Sequence, residues 1–125
     1  TGEKLTVLLG VAFRPFAWLM GVPGPDIRAA SELLATKTVF NEFLAYQQLQ
    51  ALIADGALSK RSIVILTYAL CGFANLGSMG ILIGGLSALA PGRRAEIARL
   101  SLWAVVSGTL ASFTTACIAG ILAAE

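Results

Sequence analysis

The chain has 125 residues, 57% of them apolar and only 13% charged, against about 25% charged in an ordinary soluble domain. Mean hydropathy is +0.80. A formal net charge of +2, with no basic block and no basic stripe interleaved with aromatics, excludes the electrostatic footprint of a nucleic-acid binder. Histidine is absent, and the two cysteines, Cys71 and Cys117, lie in apolar runs without metal-ligand spacing. They read as free thiols filling helix packing. No charged side chain occurs from Ser62 to Gly92, or from Leu100 to Ala124. Uncharged apolar runs longer than about 18 residues indicate transmembrane helices.

The first apolar segment, about Leu5 to Met20, ends at Gly21-Val22-Pro23-Gly24-Pro25-Asp26, where prolines and glycines stop a helix. Pro15 is expected to kink or divide it. Lys4 and the apolar run Leu5–Phe13 mimic a signal peptide, but Arg14 interrupts the run and no small-residue cleavage site follows. The segment reads as the tail of a longer membrane element, in a chain truncated at its front.

The second segment, Asp26 to Ala54, closes at Asp55-Gly56 and carries Lys37 and Glu42 near its centre, flanked by Thr36, Thr38 and Asn41. A carboxylate at membrane depth costs roughly 3 kcal/mol or more, a cost that usually accompanies a use for the charge. One straight spanning helix would carry both charges through the bilayer centre. A re-entrant hairpin turning around Thr36–Asn41, with two arms of about ten residues, avoids this. Asn41 then caps the second arm and Glu42 lies in its positive first turn. The plainer alternative is a self-neutralising Lys37–Glu42 pair, but five-residue spacing puts the two on different helix faces. The hairpin is favoured.

Ser59 offers an N-cap to the third segment, Lys60 to Ala90. Its uncharged run would measure about 46 Å as one helix, against roughly 30 Å of hydrocarbon. Gly72, Gly77, Gly80, Gly84 and Gly85 puncture it, and Cys71-Gly72-Phe73-Ala74-Asn75-Leu76-Gly77-Ser78 sets polar residues between glycines. Two half-helices meeting at a polar break fit better than one long tilted helix. After Pro91-Gly92, the fourth segment (Arg93 to Ala124) carries Gly108, Ser112, Ala116, Gly120 and Ala124 four residues apart. Such a ladder permits close contact with another membrane helix. Arg93, Arg94 and Arg99 can anchor its start at the interface, with Trp103 in the aromatic belt. Lys60 and Arg61 flank the opposite end of the third segment, so basic residues do not orient the chain.

These motifs carry a resemblance. Ala35-Thr36-Lys37-Thr38-Val39-Phe40-Asn41-Glu42-Phe43-Leu44-Ala45-Tyr46, Thr67 through Ile81 and Gly84-Gly85-Leu86 resemble the C-terminal half of concentrative nucleoside transporters. Gly21-Val22-Pro23 and Leu89-Ala90-Pro91 fit as well. Gly24-Pro25 departs from the family pattern, where a bulky and an acidic residue are expected; this touches the entry to the hairpin.

The resemblance implies an all-α integral membrane bundle with a re-entrant hairpin and a discontinuous transmembrane helix. Residues 1–25 would end the preceding helix, 26–56 form the hairpin, 59–91 the broken helix and 93–124 the last helix. It implies a homotrimer, multi-pass in the cell membrane, whose transport domain carries nucleosides across the bilayer. Glu42 would accept hydrogen bonds from ribose hydroxyls, Asn75 and Ser78 would contact the ribose, and Phe73 would pack beside the nucleoside. No cofactor is expected; the coupling cation, sodium or proton, would bind mainly to an upstream half of the same transporter. Two other classes are weaker. A small subunit whose charges serve helix assembly does not explain polar residues at a helix break. An enzyme lacks its catalytic partners, since there is no histidine and neither cysteine neighbours a base.

Overall fold

A computed structural model describes residues 2–123, with side chains from residue 6 onward. The described residues form six α-helices: α1 (Gly2–Leu19), α2 (Ile27–Val39), α3 (Glu42–Ala54), α4 (Lys60–Ala69), α5 (Leu76–Leu89) and α6 (Arg94–Leu122). Short 3-10 turns at Gly24–Asp26 and Pro91–Arg93 lead into α2 and α6. Residues Pro91–Leu122 are long and apolar enough to cross a membrane, an 18-residue stretch of them having a mean hydropathy of 1.7.

The interruptions have local causes. Gly21 (φ 87°) and Gly56 (φ 64°) take the left-handed conformation that suits glycine. Around Gly21, its N–H bonds Trp18 O and the Val22 N–H bonds Ala17 O. Around Gly56, its N–H bonds Ile53 O and the Ala57 N–H bonds Leu52 O. Both are Schellman ends that satisfy the last carbonyls of α1 and α3. Pro15 lies inside α1 and does not divide it. Phe13 and Phe16 bracket that turn and meet Phe113 of α6, with ring centroids 6.3 and 5.7 Å apart.

The core lies where α1, α2, α4 and α6 meet. Ala17, Leu33, Leu34, Ile65, Leu66, Phe113 and Ala116 are all buried there. The small-residue ladder of α6 faces this core: a Cβ on Gly120 would stand 2.9 Å from Ile65 Cγ1, and one on Gly108 3.3 Å from Ala74 Cβ. The ladder's partners are therefore α4 and the residues that follow it; Ala124, its last rung, lies outside the described residues. By contrast α5 contains no buried residue. Trp18, Phe43, Ile81, Leu89 and Trp103 are exposed on the outer faces.

One clamp fixes the entry of α2 to that of α4. Asp26, buried in the turn before α2, accepts the Ser59 N–H at 3.0 Å, the Ser59 hydroxyl at 2.8 Å and the Ser62 hydroxyl at 2.5 Å. Ser59 also caps α4, its Oγ accepting the Ser62 N–H at 3.2 Å. Burial works against the Asp26 carboxylate, but the three donors outweigh it and hold its pKa below the ordinary carboxylate value. Arg61 Nε donates to Gly21 O at 3.0 Å, a second tie across the same corner.

Candidate functional site

Helices α2 and α3 form a helical hairpin whose tip is Phe40–Asn41. Each arm has 13 residues, longer than the spacing suggested, because Thr36–Val39 remain helical. Thr36 and Thr38 send their hydroxyls back to Glu32 O and Leu34 O, at 3.0 and 2.8 Å, so both stay compatible with a helix. Asn41 then takes an extended conformation, and its Oδ1 accepts the Leu44 N–H at 2.9 Å. That cap sets Glu42 at the first position of α3.

The chain that follows α4 leaves the helix at residues 70–75 and restarts at α5, capped by Asn75, whose Oδ1 accepts the Ser78 N–H at 2.7 Å. Asn75 is 1% exposed. Its Nδ2 donates to Glu42 Oε2 at 3.2 Å and to Phe73 O at 3.4 Å. Gly77 makes room for the hairpin tip: a Cβ there would come within 3.3 Å of Phe40 O. Two helix N-termini, those of α3 and α5, thus converge on one carboxylate, which their partial positive charge favours.

The opposite ends of the break are equally accounted for. Three elements send donors to carbonyls at the C-terminal end of α4. Tyr46 Oη (α3) donates to Thr67 O at 2.6 Å, and Lys37 Nζ (α2) to Ala69 O at 3.4 Å. Ser112 Oγ (α6) shares its one proton between Gly108 O at 3.1 Å and Cys71 O at 3.5 Å. Backbone N–H groups of Leu70, Cys71 and Gly72 serve Leu66 O, Tyr68 O and Leu70 O. A helix end left open inside an apolar assembly must have its carbonyls satisfied in this way.

The four expected ligand residues are not all in one place. Glu42 and Asn75 touch, and Asn75 holds the amide of Ser78. Phe73 is 77% exposed. With Ser78 it borders a cleft of about 410 Å³ between the break and α6, also lined by Gly72, Ser101 and Gly108. Glu42 is not among the residues lining that cleft. Lys37 and Glu42 form no contact pair: among the described residues the ion pairs are Arg28–Glu32 and Arg93–Glu96. Cys117 packs against the core, whereas Cys71 sits exposed at the break, because the chain has left the helix there.

Asp26, Tyr46 and Ser112 went unmarked as site or clamp residues in the sequence. For Tyr46 a signal existed, since it stands four residues after Glu42, on the same face of a helix. Ser112 is the polar rung of the small-residue ladder.

The starts of α3 and α5 thus meet at the Glu42 carboxylate, an arrangement that can bind hydroxyl or cationic donors. The chain belongs to the family described as "Na+ dependent nucleoside transporter C-terminus", whose model matches residues 1–120. It is 49% identical to "Solute carrier family 28 member 3" of Eptatretus stoutii, over 93% of this chain and 19% of that protein. It is 42% identical to "Nucleoside permease NupC" of Helicobacter pylori, over 94% of this chain and 29% of the relative. The solved structure of CNTnw in an inward-facing substrate-bound state superposes with a TM-score of 0.83 at 45% identity, covering 93% of this chain and 29% of that one. The chain therefore spans 19% to 29% of the length of these proteins.

Proposed function

We propose that this chain supplies the ribose-binding part of the substrate site in a cation-coupled nucleoside importer, a multi-pass protein of the cell membrane that assembles as a homotrimer. On this reading α2 and α3 are a re-entrant hairpin, α4 and α5 a broken transmembrane helix, and the base-reading hairpin and most of the coupling-cation site lie upstream in the same transporter. The observation that carries the reading is the Glu42–Asn75 contact at the meeting point of two helix N-termini.

The chemistry suits a ribose. A ribose diol offers two hydroxyl donors, and an ionised carboxylate accepts several hydrogen bonds at once. Asn75 occupies Glu42 Oε2; Oε1 has no hydrogen-bond partner among the described residues and is the acceptor left for substrate. Ser78 adds a hydroxyl one turn along α5, and Phe73 an exposed ring for the nucleoside to pack against. Moving the bound nucleoside requires no covalent step.

The test is a comparison of uridine with its 2′,3′-dideoxy analogue in the transporter of full family length, on wild type and Glu42→Gln. Hydrogen bonds to a charged group contribute about 1.5–3 kcal/mol, so Glu42→Gln is expected to weaken uridine binding roughly 10- to 150-fold. It should also erase most of the preference for uridine over the analogue. Full discrimination by a well-expressed mutant would remove Glu42 from the ribose site.

A further inference from the structure

The donors around the C-terminal end of α4 include one group that nucleoside binding leaves unused. Lys37 is 1% exposed. Its ammonium carries three protons, and among the described residues its hydrogen-bond partner is Ala69 O at 3.4 Å. The same ammonium would stand 3.6 Å from a Cβ on Gly72, so it sits against the backbone of the break itself. Ordering and desolvating a lysine is costly, and a methionine would fill the same space without a charge to desolvate. Half-helix C-terminal ends and unwound carbonyls are where broken transporter helices coordinate dissolved cations. Here a side chain brings the cation.

We propose that Lys37 is a positioning residue acting as a built-in cation: its ammonium takes the place of a dissolved cation at the carbonyl end of α4 and fixes the break against the hairpin tip. The route to substrate is short. Lys37 lies in the last turn of α2, three residues before the tip at Phe40. Phe40 O packs on Gly77 of α5, and Glu42 follows two residues later. Loss of the charge frees the end of α4 and loosens the register between Glu42 and Asn75. The link to substrate rests on the ribose-site reading given above; the charge at the helix end does not.

The experiment uses the transporter of full family length, purified as wild type, Lys37→Met and Lys37→Ala. Melting temperature without nucleoside and uridine affinity are measured at fixed sodium chloride, with either choline chloride or ethylammonium chloride added. Lys37→Met keeps the volume and loses the charge; it should lower the melting temperature and weaken uridine affinity by about tenfold or more. Lys37→Ala should behave likewise, and ethylammonium should raise both values towards wild type in Lys37→Ala alone, because methionine still fills the space. Wild-type melting and affinity in Lys37→Met would overturn the proposal. So would a folded Lys37→Ala that ignores ethylammonium. Folding of Lys37→Ala only in ethylammonium supports it, whereas failure of both variants to fold in either salt reduces Lys37 to a folding determinant and overturns the positioning role. Rescue of melting in a transporter that binds no uridine would leave the built-in cation standing and remove the ribose reading instead.

Discussion

Asn75 reaches Glu42 across 33 positions of sequence, Nδ2 donating to Oε2 at 3.2 Å, while its Oδ1 caps α5. One amide thus does two jobs: it starts a helix and it aims a carboxylate. The pairing depends on an amide having both a donor and an acceptor end. It also ties the hairpin tip to the break.

Exchanging the amide for a carboxylate separates those jobs. Asn75→Asp keeps the acceptor that caps α5 but puts a second carboxylate beside Glu42. Two carboxylates sharing a site do not both ionise freely. At high pH the repulsion should weaken nucleoside binding about tenfold or more, and as pH falls the shared proton restores a donor and affinity recovers. Asn75→Ala should instead bind weakly at every pH and lose about 1 kcal/mol of stability with its cap. Affinity titrated between pH 8 and pH 5 at fixed sodium reads the difference. A flat profile for Asn75→Asp would contradict the contact.

The Asp26 clamp gives a stability prediction with a sign. Its folded pKa lies below the ordinary carboxylate value, so the stabilisation is fully present above the unfolded pKa and is lost as pH falls through the folded one. Unfolding midpoints should therefore drop on acidification below about pH 4, and Asp26→Asn should remove that part of the slope. At neutral pH the same substitution should cost about 1.5–3 kcal/mol, since bonds from Ser59 and Ser62 to a charge are lost. Equal acid slopes in wild type and Asp26→Asn would show that the clamp does not titrate.

What the sequence disclosed and what it hid divide by distance along the chain. Asn41 and Ser59 announce helix starts because a cap acts on an amide only three residues away. The break between α4 and α5 is likewise local, written in glycines around Asn75. The hairpin tip is narrower than the expected Thr36–Asn41, because Thr36 and Thr38 look like turn residues, yet their hydroxyls return to the preceding turn. The Asp26 clamp and the donors to α4 join residues 21 to 41 positions apart. No periodicity encodes such pairings; they appear only once α3, α4 and α6 are packed.

Gly72 marks the tightest approach at the break. A Cβ there would lie 2.6 Å from Ser112 Oγ, so the hydroxyl must rotate away and surrender its bond to Cys71 O. Gly72→Ala is expected to cost about 0.5–1.5 kcal/mol, the value of the displaced hydrogen bond, since a rotatable hydroxyl rather than backbone meets the new Cβ. Ser112→Ala alone should cost about 0.5–1.5 kcal/mol. The double variant should be more stable than the sum of the singles predicts, because removing Oγ also removes the clash. Thermal or denaturant unfolding of the three variants tests this, and simple additivity would mean that the two residues do not meet.

Gly120 separates a structural glycine from an incidental one. It lies on the buried face of α6, where a new Cβ would stand 2.9 Å from Ile65 Cγ1, 3.0 Å from Ile65 Cδ1 and 3.3 Å from Met20 O. Ile65 is 0% exposed and held within the core, and Met20 O is backbone. Alanine normally stabilises a helix over glycine by about 0.8–1 kcal/mol, but here overpacking of about 1–3 kcal/mol opposes it. Gly120→Ala should therefore come out destabilising, or at best neutral, despite the gain in helix propensity. Gly24, by comparison, is exposed and has nothing within 4 Å of its added Cβ; Gly24→Ala should stay within about 0.5 kcal/mol of wild type. Unfolding measured side by side decides the matter. A Gly120→Ala variant stabilised by the full propensity gain would show that α6 does not lie this close to α4.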